Sequence, residues 1–322
     1  MADFWTSFPG MDTALGAVSE YIKGATASSN PIIKEALSDL FAYPGKMLRP
    51  GMLILSSQFG TPATKRIYPL AAAIEMLHTA TLIHDDVIDD SPLRRGLPAI
   101  HTKFGKKDAV LIGDFLLSRC FLVAAEYTTP QNAINLGKAI SVICAMELDQ
   151  DADRWRPSLS VRNYVKKIIG KTALLFSLAC HVGAAEAKTP EQVTERLRRI
   201  GYNIGMAFQI IDDILDYTGN ESELKKPVGN DLRSGLVTLP LICALRHDTE
   251  GTLTRLVQTE NFPKSDIAAI LSLTQQLGGV ADARDFAQMY TDRALREIGQ
   301  LPKGKAKENM EQLAKKLLIR TY

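Results

Sequence analysis

The stretch Leu82-Ile83-His84-Asp85-Asp86-Val87-Ile88-Asp89 sets three carboxylates among branched apolar residues. On a helix, residues four apart stand above one another, so Asp85 and Asp89 point the same way with Asp86 on the flank. Apolar residues recur at three- and four-residue spacing through most of the chain, as in Leu70-Ile74-Leu77 and Val165-Ile168-Ile169, and strand-like alternation is scarce. The sequence therefore predicts an all-α fold of about ten or more helices, with residues 1–322 in a single domain. The opening stretch has an echo, Ile210-Ile211-Asp212-Asp213-Ile214-Leu215-Asp216, and each copy precedes a polar loop with a basic pair, Arg94-Arg95 or Lys225-Lys226.

Breaks fall near Tyr43-Pro44-Gly45, Ser91 to Pro98, Thr128-Thr129-Pro130, Gly219 to Gly235 and Phe262-Pro263, none with the length or low complexity of a linker. Thr189-Pro190-Glu191-Gln192 reads as a helix start, with a capping threonine and a proline at the first helical position. The chain has 322 residues, 46% of them apolar and 23% charged, and its net charge of +2 offers no basic footprint for nucleic acid. Met1-Ala2-Asp3-Phe4-Trp5 lacks the pattern of a signal peptide. The apolar run Ala109 to Ala125 is interrupted by Asp114 and Arg119, short of the roughly 20 residues a bilayer span needs. It reads as a core helix, with no stable membrane anchor. Cys120, Cys144, Cys180 and Cys243 are far apart in apolar stretches, which predicts buried thiols in a reducing cytoplasm.

Clustered carboxylates repel one another and are costly in apolar surroundings, so each aspartate cluster calls for a cation. Mg²⁺ takes oxygen ligands, keeps waters, and is usually held by one or two carboxylates plus substrate phosphates. Lys46 and Arg49 in Gly45-Lys46-Met47-Leu48-Arg49-Pro50, then Arg94, Arg95, Lys171 and Lys226, are the charges that diphosphate oxygens attract. Carboxylates for a metal with several cations for phosphate imply a Mg²⁺-bridged diphosphate substrate. Two partial motifs are discounted. Gly170-Lys171-Thr172 lacks the earlier glycine of a P-loop, because position 165 is Val165. Glu75-x-x-His78 lacks the second copy that a carboxylate-bridged di-iron site needs.

Taken together, the residues resemble the trans-isoprenyl diphosphate synthases along nearly the whole chain. The first signature stands as His84-Asp85-Asp86-Val87-Ile88-Asp89-Asp90-Ser91-Pro92-Leu93-Arg94-Arg95-Gly96-Leu97-Pro98 and the second as Gln209-Ile210-Ile211-Asp212-Asp213-Ile214-Leu215-Asp216. Gly45-Lys46-x-x-Arg49-Pro50, Glu147-x-x-Gln150 and Lys171-Thr172 follow the family order. The resemblance implies an isoprenoid synthase fold, a homodimer, and a deep cavity between the aspartate helices. It implies that Asp85, Asp89 and Asp212 bind Mg²⁺, supported by Asp86, Asp213 and Asp216. Arg94, Lys171 and Lys226 would hold an allylic diphosphate, with Gln209 and Thr172 nearby, and Lys46, Arg49, His78 and Arg95 would hold isopentenyl diphosphate. The family usually reads Gly-Lys-x-Thr after the second motif; here the run is Gly235-Leu236-Val237-Thr238, so a phosphate-facing lysine is missing unless Lys225 compensates.

The resemblance also makes the helix before Asp85 the wall of the pocket for the growing tail. One turn advances about 5.4 Å, comparable to one isoprene unit. Short-chain members often place an aromatic residue one turn before the motif; here Ala80 and Thr81 stand there, with Leu77 and Ile74 deeper. The expectation is an all-trans product longer than farnesyl diphosphate, from geranylgeranyl to heptaprenyl. A class I terpene cyclase and a catalytic subunit that works only with a partner chain are the alternatives.

Overall fold

The structure is a computed structural model that describes residues 2–42, 45–94, 96–157, 160–219, 228–258, 262 and 265–318. In chain order the first helices are α1 (Ala2–Trp5), α2 (Met11–Ala25), α3 (Pro31–Ala42), α4 (Leu48–Ser57), α5 (Thr64–Ile88), α6 (Ile100–Phe104) and α7 (Lys106–Tyr127). They are followed by α8 (Pro130–Ala152), α9 (Val161–Ile168), a π turn (Ile169–Ala173), α10 (Leu174–Glu186) and α11 (Glu191–Thr218). The last are α12 (Asn230–Arg233), α13 (Leu239–His247), α14 (Thr252–Val257), α15 (Ile267–Gln276), α16 (Gly279–Gly299) and α17 (Lys305–Leu318). Among the described residues, strand is confined to one antiparallel ribbon, Leu93–Arg94 against Leu97–Pro98. The helical period read from the sequence is what the chain builds.

The backbone divides into two compact units, one of Met1–Gly137, Leu175–Arg198 and Leu301–Met310, the other of Lys138–Leu174, Arg199–Gln300 and Glu311–Tyr322. Most divisions fall inside helices such as α8 and α11, and one falls in the short turn between Gly299 and Lys305.

In the first unit α5 is the core, with α2, α4 and α7 packed against it. Its residues from Pro69 to Leu77 are buried without interruption, as in a helix surrounded on all sides. Beyond Leu77 only Ala80, Ile83 and Asp86 stay buried, one per turn, so the helix becomes one-sided where the aspartates begin. Each buried leucine or isoleucine contributes about 1.5–3 kcal/mol relative to exposure, which fixes which face of α5 turns inward. Gly113 on α7 leaves room for the His84 imidazole, which lies where a Cβ would be. At the end of α10, buried Glu186 accepts hydrogen bonds from Asn132 Nδ2 (2.7 Å) and the Thr128 hydroxyl and pairs with Arg66 (3.2 Å).

In the second unit α13 packs on α16, and Gly279 permits the contact because a Cβ there would meet the Pro240 carbonyl. The part of α11 in this unit buries Ile200, Ile204, Met206, Ala207, Ile210 and Ile214. The continuous run Val161–Glu186, which the chain carries from the second unit into the first, is long and apolar enough to cross a membrane by length and composition, yet 72% of its 18-residue apolar window is buried, as in a core helix.

Two sequence expectations fail. Cys144 is exposed, because on α8 it sits 100° around from buried Ile143, while Cys120, Cys180 and Cys243 are buried. Thr189 does not cap α11 with its hydroxyl, which is buried without a hydrogen-bond partner among the described residues. A left-handed turn at Lys188 (φ 57°) instead ties the Thr189 N–H to the Ala184 carbonyl (3.1 Å), and Pro190 opens the helix by accepting from Val193 and Thr194 (both 2.9 Å).

Candidate functional site

The first aspartate cluster occupies the last turn of α5. Asp85 and Asp89 are half-buried on one face, and Asp86 is turned inward at 4% exposure. The cation that buried Asp86 requires comes from the ribbon: Arg94 grips it with Nε donating to Oδ2 at 3.0 Å and Nη2 donating to Oδ1. Arg94, expected on a diphosphate, is thus engaged with a motif carboxylate in this structure. Asp90 ends the helix in a left-handed turn (φ 51°) with its carboxylate 3.0 Å from the Lys106 ammonium.

The Gly45-Lys46-x-x-Arg49-Pro50 segment enters α4 through Met47, which adopts φ 48°. The Trp5 indole N–H donates to the Lys46 carbonyl at 2.6 Å, and the Lys46 ammonium stands 5.7 Å from the Phe4 ring centre. The Arg49 guanidinium lies 4.8 Å over the Phe176 ring. Burial pulls its pKa down, opposed by Glu75, so the glutamate discounted as an iron ligand is the counter-charge of Arg49. Arg49 Nε is buried with no hydrogen-bond partner among the described residues. His78, one turn after Glu75, is half-buried.

Of the residues expected to gauge chain length, Ile74, Leu77 and Ala80 are 4%, 0% and 0% exposed, and the half-buried Thr81 donates its hydroxyl to the His78 carbonyl at 2.8 Å. A cavity of about 430 Å³ does open in this unit, lined by Ile22, Leu40, Met47, Thr79, Ile83 and Asp86 among others. It lies along the Glu75-Thr79-Ile83-Asp86 face of α5, and none of the four chain-length residues lines it.

The second cluster ends α11 in the other unit. Asp212 is exposed, Asp216 half-buried, and Asp213 4% exposed. Asp213 accepts from the Tyr164 hydroxyl (2.6 Å) and from Gln209 Nε2 (2.8 Å), and Gln209 Oε1 accepts from the Thr172 hydroxyl (2.5 Å). Gln209 is therefore spent within the protein, bridging Thr172 to Asp213. The π turn that carries Lys171 and Thr172 buries the threonine and leaves the lysine exposed, a local break in helical register of the kind often found at functional sites. Gly170 lets Met146 pass close to that turn, since a Cβ would sit within 2.6 Å of it. Asp216 accepts the backbone N–H groups of Asn230 (3.1 Å) and Asp231 (3.0 Å) and so seeds α12.

Electrostatics around this cluster are dominated by acid. Burial, aided by Asp212, pushes the Asp213 carboxyl up to about 7 against the hydrogen bonds from Tyr164 and Gln209. Asp231 is raised well above the carboxylate range by burial and then by Asp216 and Asp213, with Lys171 opposing. These acids crowd one another, yet among the described residues no three carboxylate, imidazole or thiol side chains close on one point. Such a donor set fits a divalent cation that takes one or two carboxylates and fills its remaining positions with water and phosphate oxygens. In this unit Asp212 is exposed, and in the first unit Asp85 and Asp89 are half-buried, so each cluster keeps carboxylate oxygens that solvent reaches.

Arg95, Lys225 and Lys226 lie outside the described residues. Tyr164 and Asp231 were missed in the sequence. Tyr164 stands seven residues before Lys171, a spacing that repeats on a helix face, and Asp231 lies in the polar turn after the second motif. Gln150 Nε2 donates to Glu147 Oε2 at 3.2 Å, so the Glu147-x-x-Gln150 motif forms a local pair on α8.

Residues 30–274 match the polyprenyl synthetase family. The chain is 36% identical over 308 residues to heptaprenyl diphosphate synthase component 2 of Geobacillus stearothermophilus, covering 96% of both chains. Its fold superposes on the crystal structure of geranylgeranyl pyrophosphate synthase from Lactobacillus brevis with a TM-score of 0.91 and 40% identity, over 99% of both chains. A polyprenyl synthase from Caulobacter crescentus, crystallised with calcium and isoprenyl diphosphate, matches at a TM-score of 0.89 and 34% identity, over 96% of this chain and 95% of that one. With both aspartate motifs intact on helices and likeness running from end to end, the chain belongs to the polyprenyl synthetase family, all-α prenyltransferases of the isoprenoid synthase fold.

Proposed function

We propose that this enzyme condenses isopentenyl diphosphate head-to-tail with an allylic diphosphate, giving an all-trans polyprenyl diphosphate of geranylgeranyl to heptaprenyl length. The observation that carries this reading is Arg49, a desolvated guanidinium with a buried N–H left without a partner among the described residues. Leaving such a donor unmet costs roughly 1–3 kcal/mol, which an anionic oxygen would offset. The aspartate motifs account for one diphosphate; Arg49, with Lys46 and His78, accounts for a second. An enzyme that only ionises one diphosphate, such as a terpene cyclase, has no use for that second set.

Asp85, Asp89 and Asp212 hold Mg²⁺ in this proposal, and the bound ion supplies Lewis-acid stabilisation of the departing diphosphate. Arg94, Lys171 and Lys226 hold the allylic diphosphate, Arg94 exchanging the Asp86 carboxylate for phosphate oxygens. Asp213 and Gln209, locked by Tyr164 and Thr172, keep the end of α11 rigid so that Asp212 is pre-positioned. As the allylic C–O bond breaks, the isopentenyl double bond supplies the electrons of the new C–C bond and a proton is lost. Apolar walls keep water from the cationic carbon. The family match runs through both compact units, and we take them to form one catalytic domain.

A second copy of the chain is the proposed occupant of the outer face of α7, where Leu111 (56%), Phe121 (46%) and Leu122 (58%) are exposed. The resemblance to a protein named component 2 favours a second reading, in which a different chain covers that face. Asp85→Ala tests the catalytic proposal: turnover with both substrates falls by at least about three orders of magnitude, while the far-UV circular dichroism melt is unchanged. Near-normal activity in that variant would remove the metal role assigned to α5.

A further inference from the structure

We propose that Lys167 is a further diphosphate-binding residue, supplying from α9 the cation that Leu236 withholds. This rests on the condensation reaction proposed above. In the second unit a cavity of about 30 Å³ is lined by Lys167, Lys171, Gln209, Asp213, Asp231 and Leu236, together with neighbours from the same turns. Lys167 therefore opens onto the same small space as the lysine and the carboxylates of the second motif. The 234–236 turn is held beside it by the segment that ends α8. Arg154 Nη1 donates to the Ser234 carbonyl at 3.1 Å, the Trp155 N–H donates to the Gly235 carbonyl at 2.9 Å, and the Trp155 ring lies where a Gly235 Cβ would go. Trp155 takes φ 59° and Gly235 φ 76°, so both turns adopt left-handed backbone to make this contact.

Asp153, one residue before that clamp, receives the Lys167 ammonium at 3.0 Å, and the two side chains are only 23% and 13% exposed. The ammonium is thereby drawn to the turn whose usual lysine is replaced by leucine. With one strongly hydrated point charge on a flexible stem, lysine can leave a carboxylate for a diphosphate oxygen without losing its compensation. Lys167 and Lys171 thus bring two ammonium groups to the edge of this space, where a diphosphate bound at the second motif would reach both. Lys167 in its Asp153 pair is a stored charge for that purpose.

The test is steady-state kinetics on the full chain as wild type, Lys167→Met, Leu236→Lys and the double variant, varying each substrate at saturating levels of the other. Lys167→Met raises KM for the allylic diphosphate by roughly tenfold to a hundredfold, the value of a hydrogen bond to a charged group, and leaves KM for isopentenyl diphosphate unchanged. Adding Leu236→Lys to Lys167→Met recovers the lost affinity, because the ammonium returns from the adjacent turn. Asp153→Asn, which keeps Lys167 but removes its competing carboxylate, lowers the allylic KM. An unchanged allylic KM in Lys167→Met, an equal rise in both KM values, or no recovery with Leu236→Lys would overturn the assignment. If Lys167→Met does not fold, an allylic KM in Asp153→Asn that is unchanged or higher overturns it. Wild-type chain that condenses no substrate pair would instead strike the proposed reaction, whatever the variants do.

Discussion

Replacing Tyr164 by phenylalanine removes one hydroxyl from a place where nothing can take over its role. Tyr164 is 2% exposed and Asp213 is 4% exposed, and the hydroxyl donates to the carboxylate at 2.6 Å. In Tyr164→Phe the carboxylate keeps only Gln209 as a side-chain donor among the described residues. The size of the loss depends on whether Asp213 is ionised. Burial has raised its pKa to about 7, above the unfolded value, so the native state binds more protons between the two values and stability falls as pH rises through that window. The Tyr164 hydrogen bond favours the ionised form, and its removal pushes the native pKa still higher. At about pH 6 the carboxyl is largely protonated and the variant loses an ordinary buried hydrogen bond, about 1 kcal/mol. At about pH 8.5 the lost bond is to a charged group, about 1.5–3 kcal/mol. Urea denaturation of wild type and variant, in chelator to keep the protein metal-free, measures both. A difference that is the same at the two pH values, or below about 0.5 kcal/mol at the higher one, refutes the assignment of Tyr164 as the donor that sustains ionised Asp213.

Two further predictions concern the first unit. Glu186→Ala strands buried Asn132 and the Thr128 hydroxyl and should destabilise by roughly 2–4 kcal/mol in urea, with Arg66 adding little because it is 43% exposed. A loss under about 1 kcal/mol would mean that the neighbours find other partners. Thr79→Phe places an aromatic ring on the face of α5 that lines the cavity of about 430 Å³ and should shorten the product by at least one isoprene unit, read by chromatography of the dephosphorylated lipids. An unchanged product distribution removes that cavity from chain-length control.

The helical fold and both carboxylate clusters were legible because they are local: spacing of apolar residues and of aspartates is written directly in the chain. What spacing hides is which member of a cluster turns inward. Asp85-Asp86 and Asp212-Asp213 read as equivalent pairs, yet Asp86 and Asp213 are the buried ones, each saturated by a residue at a distance, Arg94 eight positions on and Tyr164 forty-nine positions back. Glu75 looked like half of a metal motif and is the counter-charge of Arg49, a pairing between helices that no period reveals. Asp231 and Lys167 were invisible for the same reason, since only the folded turn at 234–236 brings them beside the second motif. The cavity of the first unit lies along Thr79 and Ile83, not along Leu77 and Thr81, because packing along α5 is set by its neighbours and not by its own periodicity.

The proposal that this chain joins two diphosphates and continues past farnesyl length is tested by the products it makes. The most direct measurement incubates the purified chain, without any other protein, with labelled isopentenyl diphosphate, Mg²⁺ and allylic primers of increasing length, and resolves the lipid products by mass. The expected result is Mg²⁺-dependent incorporation of label into all-trans prenyl diphosphates of geranylgeranyl to heptaprenyl length. Cyclised hydrocarbon released from the primer alone, or no incorporation with any primer, would contradict it.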